Sequence, residues 1–488
     1  MILLSALFLA PQGLVIRGGM LYDGLGRPPV QRDIRIENGM IVAVGRFAAK
    51  RGDEVIDAKG LAVAPGFIDA HSHADGGILA NLGAETQVRQ GITTAVVGED
   101  GGSNFPLKDW FAKLQATPPA INFASFVGHG TVRGKVMGES EKKSTPEERR
   151  KMAALVEEEM KSGALGLSTG LEYQPGRYAE TGEVVELAKA ARKHGGIYIS
   201  HLRNEDNAAI AAVDELIAIA QAAKIPAQIN HIKLGSARVW GQAGNVLRKM
   251  ADARKQGLDI TADIYPYLYW QSTIRVLIPT EDWDDRKLWE QGLADVGGPG
   301  NVRLTSFSPD PSWAGKTIAE IAAQTGKDPI AVIQDIVNRT HRNGNQGSES
   351  VVVTAMSDED VKTFMSSPLV MFCSDGGLKG SHPRGAGSFP RILGVYVREA
   401  HALSLAQAIQ KMTSVPAQRF GFRDRGTIAR GKKADLVIFD PATVKDTATV
   451  AEPQSPPIGI PTVIVNGIPV LRDGKVTGLT PGMGLRRR

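Results

Sequence analysis

Apolar positions alternate with polar ones at both ends of the chain, while the middle cycles between short apolar runs and amphipathic stretches. Near the start, Leu14-Val15-Ile16-Arg17, Asp33-Ile34-Arg35-Ile36 and Ile41-Val42-Ala43-Val44 are separated by Gly18-Gly19 and Asn38-Gly39, the punctuation of hairpin-forming strands. The far end repeats the style with Ala434 to Phe439, Val463-Ile464-Val465-Asn466-Gly467 and Asp473-Gly474. Between them, from Ala64 to about Phe420, eight apolar runs each end in polar residues: 66–69, 93–97, 121–127, 164–168, 197–200, 227–230, 259–263 and 370–374. Helical periodicity lies between them at 146–161, 182–193, 207–224 and 243–255, and Ser144-Thr145-Pro146 ahead of Glu147-Glu148 is a strong helix start. Eight strand–helix units predict a (β/α)8 TIM-like barrel. The two β-rich ends predict one small β-sandwich domain built from both termini. The domains are thus 12–63 plus 424–488, and a barrel at 64–423. Roughly 105 residues separate the last two strands, too many for one crossover. Helices are expected there at 317–325 and 328–338, in an insertion at about 275–350 that reads as a lid near the barrel mouth or as a small domain of its own.

Composition narrows the class. The chain has 488 residues, 42% hydrophobic and 22% charged, an ordinary globular balance. Net charge is +5, but the signs are interspersed, and the densest basic run, Arg486-Arg487-Arg488, reads as a frayed, solvated end. No nucleic-acid partner is expected. The single cysteine, Cys373, excludes an internal disulfide and a CxxC metal site, so any metal must be held by His and carboxylates. Met1 to Ala10 is almost wholly apolar, too short to span a bilayer. It lacks a basic leader, yet it favours an exported or periplasmic protein over a cytoplasmic one. No membrane span is expected.

In such barrels chemistry sits at the C-terminal ends of the strands. The first run ends in Asp69-Ala70-His71-Ser72-His73, and two His at i and i+2 on a strand face one side. The second ends in Gly98-Glu99-Asp100-Gly101, the fifth in Ser200-His201-Leu202-Arg203, the sixth in Asn230-His231-Ile232-Lys233, and the eighth in Ser374-Asp375-Gly376. Any one His is more often structural, and Asp before Gly is a common surface turn. Four of only nine His, with acids, at one end of five strands is a different matter. Imidazole and carboxylate ligands point first to Zn²⁺, which lowers the pKa of bound water and polarises a carbonyl. Asp375 is then the general base that takes the water proton and returns it to a leaving nitrogen. Arg203, Lys233 and Arg384 supply cations for a substrate carboxylate. Tyr265 or Tyr267 adds a hydroxyl, with Pro266 breaking the alternation so that one of the two packs in the core. His129 reads as structural, its ring bonded to backbone, and His194 and His401 as helix-end residues.

Longer motifs carry a resemblance. Pro65-Gly66-Phe67-Ile68-Asp69-Ala70-His71-Ser72-His73, Gly163 to Tyr173, Ser200 to Glu205, Ser374-Asp375-Gly376 and His382-Pro383-Arg384 followed by Gly387 to Arg391 resemble those of the N-acyl-D-amino-acid deacylases (D-aminoacylases) of the amidohydrolase superfamily, over nearly the whole chain. The resemblance implies a barrel with a composite β domain. It also implies His201 and His231 on a tight zinc, His71 and His73 at a weaker second metal position, and Asp375 as acid/base. It places Tyr173 and His382 with the substrate-binding residues Lys233, Arg203, Tyr267 and Arg384. One departure stands out: Asp100 occupies the place of a cysteine ligand, so an oxygen and imidazole site is expected, with Asp100 able to bridge two ions and Glu99 as the fallback ligand. The cyclic-amide branches carry a carboxylated Lys after the fourth strand, where this chain reads Leu167-Ser168-Thr169-Gly170.

The leading expectation is a zinc-dependent amide hydrolase acting on N-acyl-D-amino acids, the D preference coming from the resemblance alone. The alternatives are a cyclic-amide hydrolase or dipeptidase, and a catalytically silent metal-binding barrel.

Overall fold

Backbone polar groups in a buried, wholly apolar run must pair with neighbouring strands, and the eight runs do this in chain order. The computed structural model describes residues 13–278, 282–342, 344 and 346–487, and it has an α/β architecture with parallel sheets. The strands are β1 Phe67–Asp69, β2 Ile92–Val97, β3 in two pieces (Asn122–Ser125 and Val127–Gly128), β4 Gly166–Gly170, β5 Ile197–His201, β6 Ala227–Ile229, β7 Ile260–Ile264 and β8 Val370–Phe372. One parallel sheet joins β1, β2 and the first piece of β3, and a second runs from the other piece of β3 through β4, β5, β6 and β7 to β8. The break at Phe126 is spanned by Phe126 N donating to Val97 O (2.9 Å) and Leu165 N to Ser125 O (2.9 Å). Beyond β8 the chain meets the end of β1: Ser374 N donates to Asp69 Oδ1 (2.7 Å), Asp375 N to His71 O (2.9 Å) and His73 N to Gly376 O (3.0 Å).

The intervening helices form where the pattern places them. Pro146–Lys161 starts with a full capping box, the Thr145 hydroxyl accepting from Glu148 N and the Glu148 carboxylate from Thr145 N, which satisfies two otherwise orphaned donors. Ile318–Thr325 and Pro329–Thr340 are capped by Thr317 and Asp328. The insertion also holds an antiparallel sheet with no counterpart in the sequence expectation: Tyr269–Ser272, Glu349–Thr354 and Val302–Phe307, in that order. Its apolar side chains, among them Trp289, Leu304, Ile333 and Val351, form a core separate from the main one.

Near the termini, Met40–Gly45, Asp33–Glu37, Gly13–Arg17 and Asp53–Asp57 make one sheet, and a second joins Leu436–Phe439 and Thr462–Val465 to Ala62–Pro65. Leu14, Ile16, Ile34 and Ile36 share a core with Leu436, Ile438 and Ile464.

Two expectations are corrected here. The basic tail is seated rather than frayed: Arg487 N donates to Gly163 O (3.0 Å) and the Arg486 guanidinium lies 5.1 Å from the centre of the Phe111 ring. His129 is structural, but its partner is a side chain, with Nε2 2.8 Å from Glu183 Oε1 and Arg133 Nη1 donating to Glu183 Oε2 at 2.6 Å. The apolar Met1 to Ala10 segment and Arg488 lie outside the described residues. Among the described residues no helix is long and apolar enough to cross a membrane.

Candidate metal centre and active site

The ends of β1, β2, β5, β6 and β8 bring their polar residues to one cleft of about 1250 Å³. Its floor depends on an unusual turn after β2. Gly98 (φ 76°), Asp100 (φ 52°) and Gly101 (φ 77°) are all left-handed. A Cβ on Gly98 would sit 2.4 Å from Phe126 O, so only glycine lets the chain fold back here. The turn points Asp100 into the cleft and leaves Glu99 beneath it. His231 (φ 32°) and Asp375 (φ 50°) are likewise left-handed non-glycine residues, a local cost of order 1–3 kcal/mol each that clusters at functional sites.

Asp100 is shared by two groups of ligand atoms, each drawn within 4.8 Å of one another. On one side its Oδ2 lies 3.5 Å from His71 Nε2 and 3.4 Å from His73 Nε2, and Asp375 Oδ1 lies 3.5 and 3.2 Å from the same two nitrogens. On the other its Oδ1 lies 3.3 Å from His231 Nε2, which is 2.9 Å from His201 Nδ1. Burial opposes ionisation of Asp100, but His71 and His231 outweigh it and hold the carboxyl well below its usual range. For His231, burial and Lys233 oppose the charge, yet Glu205, Asp100 and Asp375 push the imidazole up to about 10. Carboxylates that pull a proton this strongly onto imidazole will also pull a divalent cation. Hard oxygen and borderline nitrogen donors drawn this close together fit zinc.

The outer groups orient these ligands. Glu172 Oε2 is 2.7 Å from His201 Nε2, which leaves Nδ1 facing His231. Glu205 Oε1 is 3.1 Å from His231 Nδ1, and its other oxygen accepts from Lys233 Nζ (2.6 Å), itself 2.6 Å from that Nδ1. Asp375 Oδ2 pairs with Arg384 Nη1 at 2.6 Å. Burial opposes the charge on Asp375, and Arg384, His231 and His73 more than reverse this, so it stays ionised.

The structure rearranges four expected roles. Glu99 belongs to neither ligand group; it lies behind His71, 3.6 Å from Nδ1, where burial and the nearby Asp263 and Asp100 push its pKa well above normal. Arg203 reaches the cleft edge, but its donors are spent on Glu215 and on the carbonyls of Arg177 and Ala179. Tyr267 points away from the cleft, its hydroxyl 3.4 Å from Pro383 O and 3.5 Å from Asp446 Oδ2. Tyr265 faces the cleft instead, its hydroxyl buried and unpartnered, between Lys233 and Arg384, which lie 5.8 and 5.0 Å from its ring centre. His382 is kept neutral by burial and by Arg384; it accepts from Arg384 N (3.0 Å) and reaches Tyr269 O (3.0 Å), so it shapes the turn that presents Arg384. Tyr173 lines the cleft and lies over His201, ring centres 4.4 Å apart. Glu172 and Glu205 were not singled out from sequence, although Glu205 stands four residues after His201.

A family model described as "Amidohydrolase family" matches residues 54–471. The chain belongs to this family. It is 36% identical to N-acyl-D-glutamate deacylase of Alcaligenes xylosoxydans xylosoxydans, over 97% of this chain and 96% of that one. Its fold is close to that of the solved N-acyl-D-glutamate deacylase from Bordetella bronchiseptica, complexed with zinc and a phosphonate mimic of the tetrahedral intermediate, with TM-score 0.86, 34% identity, and coverage of 97% of this chain and 99% of that one. A D-aminoacylase with a binuclear metal centre superposes with TM-score 0.84 at 32% identity, over 98% of this chain and 100% of that one.

Proposed function

We propose that the protein is a zinc-dependent amide hydrolase that removes the N-acyl group from N-acyl-D-amino acids, releasing a carboxylate and the free D-amino acid. One observation carries this reading: an ionised Asp375 stands between the shared-Asp100 ligand cluster and Arg384, in a chain that matches D-amino-acid deacylases end to end. His201, His231 and Asp100 would hold the tight ion, and His71, His73 and Asp100 a weaker one. Zinc so held supplies a water of lowered pKa and polarises the scissile carbonyl. Asp375 takes the proton from the attacking water and returns it to the departing nitrogen. Arg384 on the other carboxylate oxygen keeps Asp375 oriented. Lys233 stays charged because Glu205 outweighs its burial, and burial pushes Tyr265 up to about 12, so an ammonium and a phenol donor both await the substrate carboxylate. The names of the relatives support the D configuration.

The same reading makes the eight parallel strands a closed (β/α)8 barrel, supported by the bonds from Ser374 and Asp375 back to β1. The mixed core of Leu14, Ile34, Leu436 and Ile464 supports one β-sandwich domain from 12–63 and 424–488, beside a barrel at 64–423. Asp375→Ala is the test. Turnover should fall by about a thousandfold or more while the zinc content after dialysis stays near wild type. Substantial turnover in this variant would refute the assigned role.

A further inference from the structure

A second cavity, of about 460 Å³, opens on the other side of Asp375. His73, Gly76, Gly77, Gln271, Asp375 and Arg384 line both spaces, so the reaction centre is part of the partition between them. Lys233 and Tyr265, the groups suited to a carboxylate, face only the larger one. The smaller one is built by four separate parts of the chain. The loop after β1 contributes Gly77 and Ala80, and the loop after β8 contributes Gly377 and Gly380. Gln271 of the insertion ties in by donating to Ser350 Oγ (3.0 Å) and to Ser381 Oγ, and Gln454 closes the far side by donating to Gly380 O (3.0 Å). A Cβ on Gly77 or Gly380 would meet nothing within 4 Å, so these glycines leave open room.

A substrate with a central amide has two halves, and this centre has two cavities. We propose that the smaller cavity receives the acyl half, and that the enzyme hydrolyses polar acyl groups several atoms longer than acetyl. The inference rests on the deacylase reading above: water adds across the C–N bond, the acyl half leaves as a carboxylate and the amino acid half as an amine. A water takes up roughly 30 Å³ in the liquid, and an acetyl group is only a few times larger, so acetyl alone leaves most of the cavity unfilled. Asn81, Gln271, Gln454 and the Lys379 ammonium line it beside Ala80 and Leu378, so it suits a short aliphatic chain with a polar or anionic end.

The test compares kcat/KM for the acetyl, butyryl and succinyl derivatives of one D-amino acid in wild type, Gly380→Leu and Ala80→Phe, which add bulk to the lining from the loops after β8 and β1. Wild type should turn over the succinyl derivative within about tenfold of acetyl, and each variant should lower the succinyl-to-acetyl ratio by about tenfold or more. Because the readout is a ratio, a partial loss of folded enzyme cancels. A wild-type drop of about a hundredfold from acetyl to both longer acyl groups, or ratios unchanged in both variants, overturns the proposal. Turnover of none of the derivatives by wild type overturns the deacylase reading itself, and this proposal with it.

Discussion

Glu172 offers a sharp test of how the metal ligands are set. Its Oε2 lies 2.7 Å from His201 Nε2, while the other ring nitrogen lies 2.9 Å from His231 Nε2. A carboxylate on the far nitrogen fixes the tautomer, turns the ring and raises the basicity of the ligating atom. Glu172→Gln keeps the volume and one hydrogen bond but removes the charge. Loss of such a partner typically weakens metal binding tenfold to a hundredfold, about 1.4 to 2.7 kcal/mol. The assay is zinc competition against a chelator of known affinity at fixed pH, with far-UV circular dichroism to confirm the fold. Zinc affinity within about twofold of wild type, in a folded variant, would refute this role, since a spectator Glu172 would leave binding untouched.

Two further outcomes follow from other contacts. Tyr265→Phe should raise KM by about tenfold, the scale of one lost hydrogen bond to a charged group, whereas Tyr267→Phe should leave KM unchanged; steady-state kinetics on both variants checks this, and the reverse ranking would contradict the assignment. Lys411, whose Nζ donates to Met365 O and lies 5.3 Å from the centre of the Phe372 ring, is lowered by burial to about 7. Below that pH it is charged in both folded and unfolded states. Between about 7 and its ordinary value near 10.4 only the unfolded state holds the proton, so its contribution makes stability rise with pH, by up to about 1.4 kcal/mol per pH unit. Lys411→Met should flatten that rise and raise Tm at pH 7, as denaturation at several pH values would show.

The strands were legible because each is a buried apolar run whose polar residues begin where it reaches the cleft. The same rule found His71, His73, His201, His231 and Asp375, which stand directly on or after strand ends. The turn Gly98-Glu99-Asp100-Gly101 left two carboxylates open, and only the resemblance, which puts Asp100 in the place of a cysteine, chose between them. Glu99, the fallback ligand, falls outside the groups that share Asp100, because adjacency in sequence says nothing about direction once the backbone turns left-handed at Asp100. Pro266 hid which tyrosine faces the cleft. Glu172 and Glu205 sit on loops, and only folding brings them to His201 and His231. The insertion sheet pairs Tyr269–Ser272 and Val302–Phe307 with the distant Glu349–Thr354, a non-local match that local periodicity does not reveal. The Arg486-Arg487 tail looked solvated because its partners, Gly163 and Phe111, lie far back in the chain.

Hydrolysis of N-acyl-D-amino acids is here assigned to an oxygen and imidazole zinc site with Asp100 in place of a thiolate. The most direct measurement is amine release from a panel of N-acetyl-D- and N-acetyl-L-amino acids by the zinc-loaded and chelator-stripped protein, with metal counted in each sample. Turnover of D-configured substrates, lost on stripping and restored by zinc, is the expected result. Turnover that persists without metal, or that is confined to L-configured or cyclic amides, would contradict it.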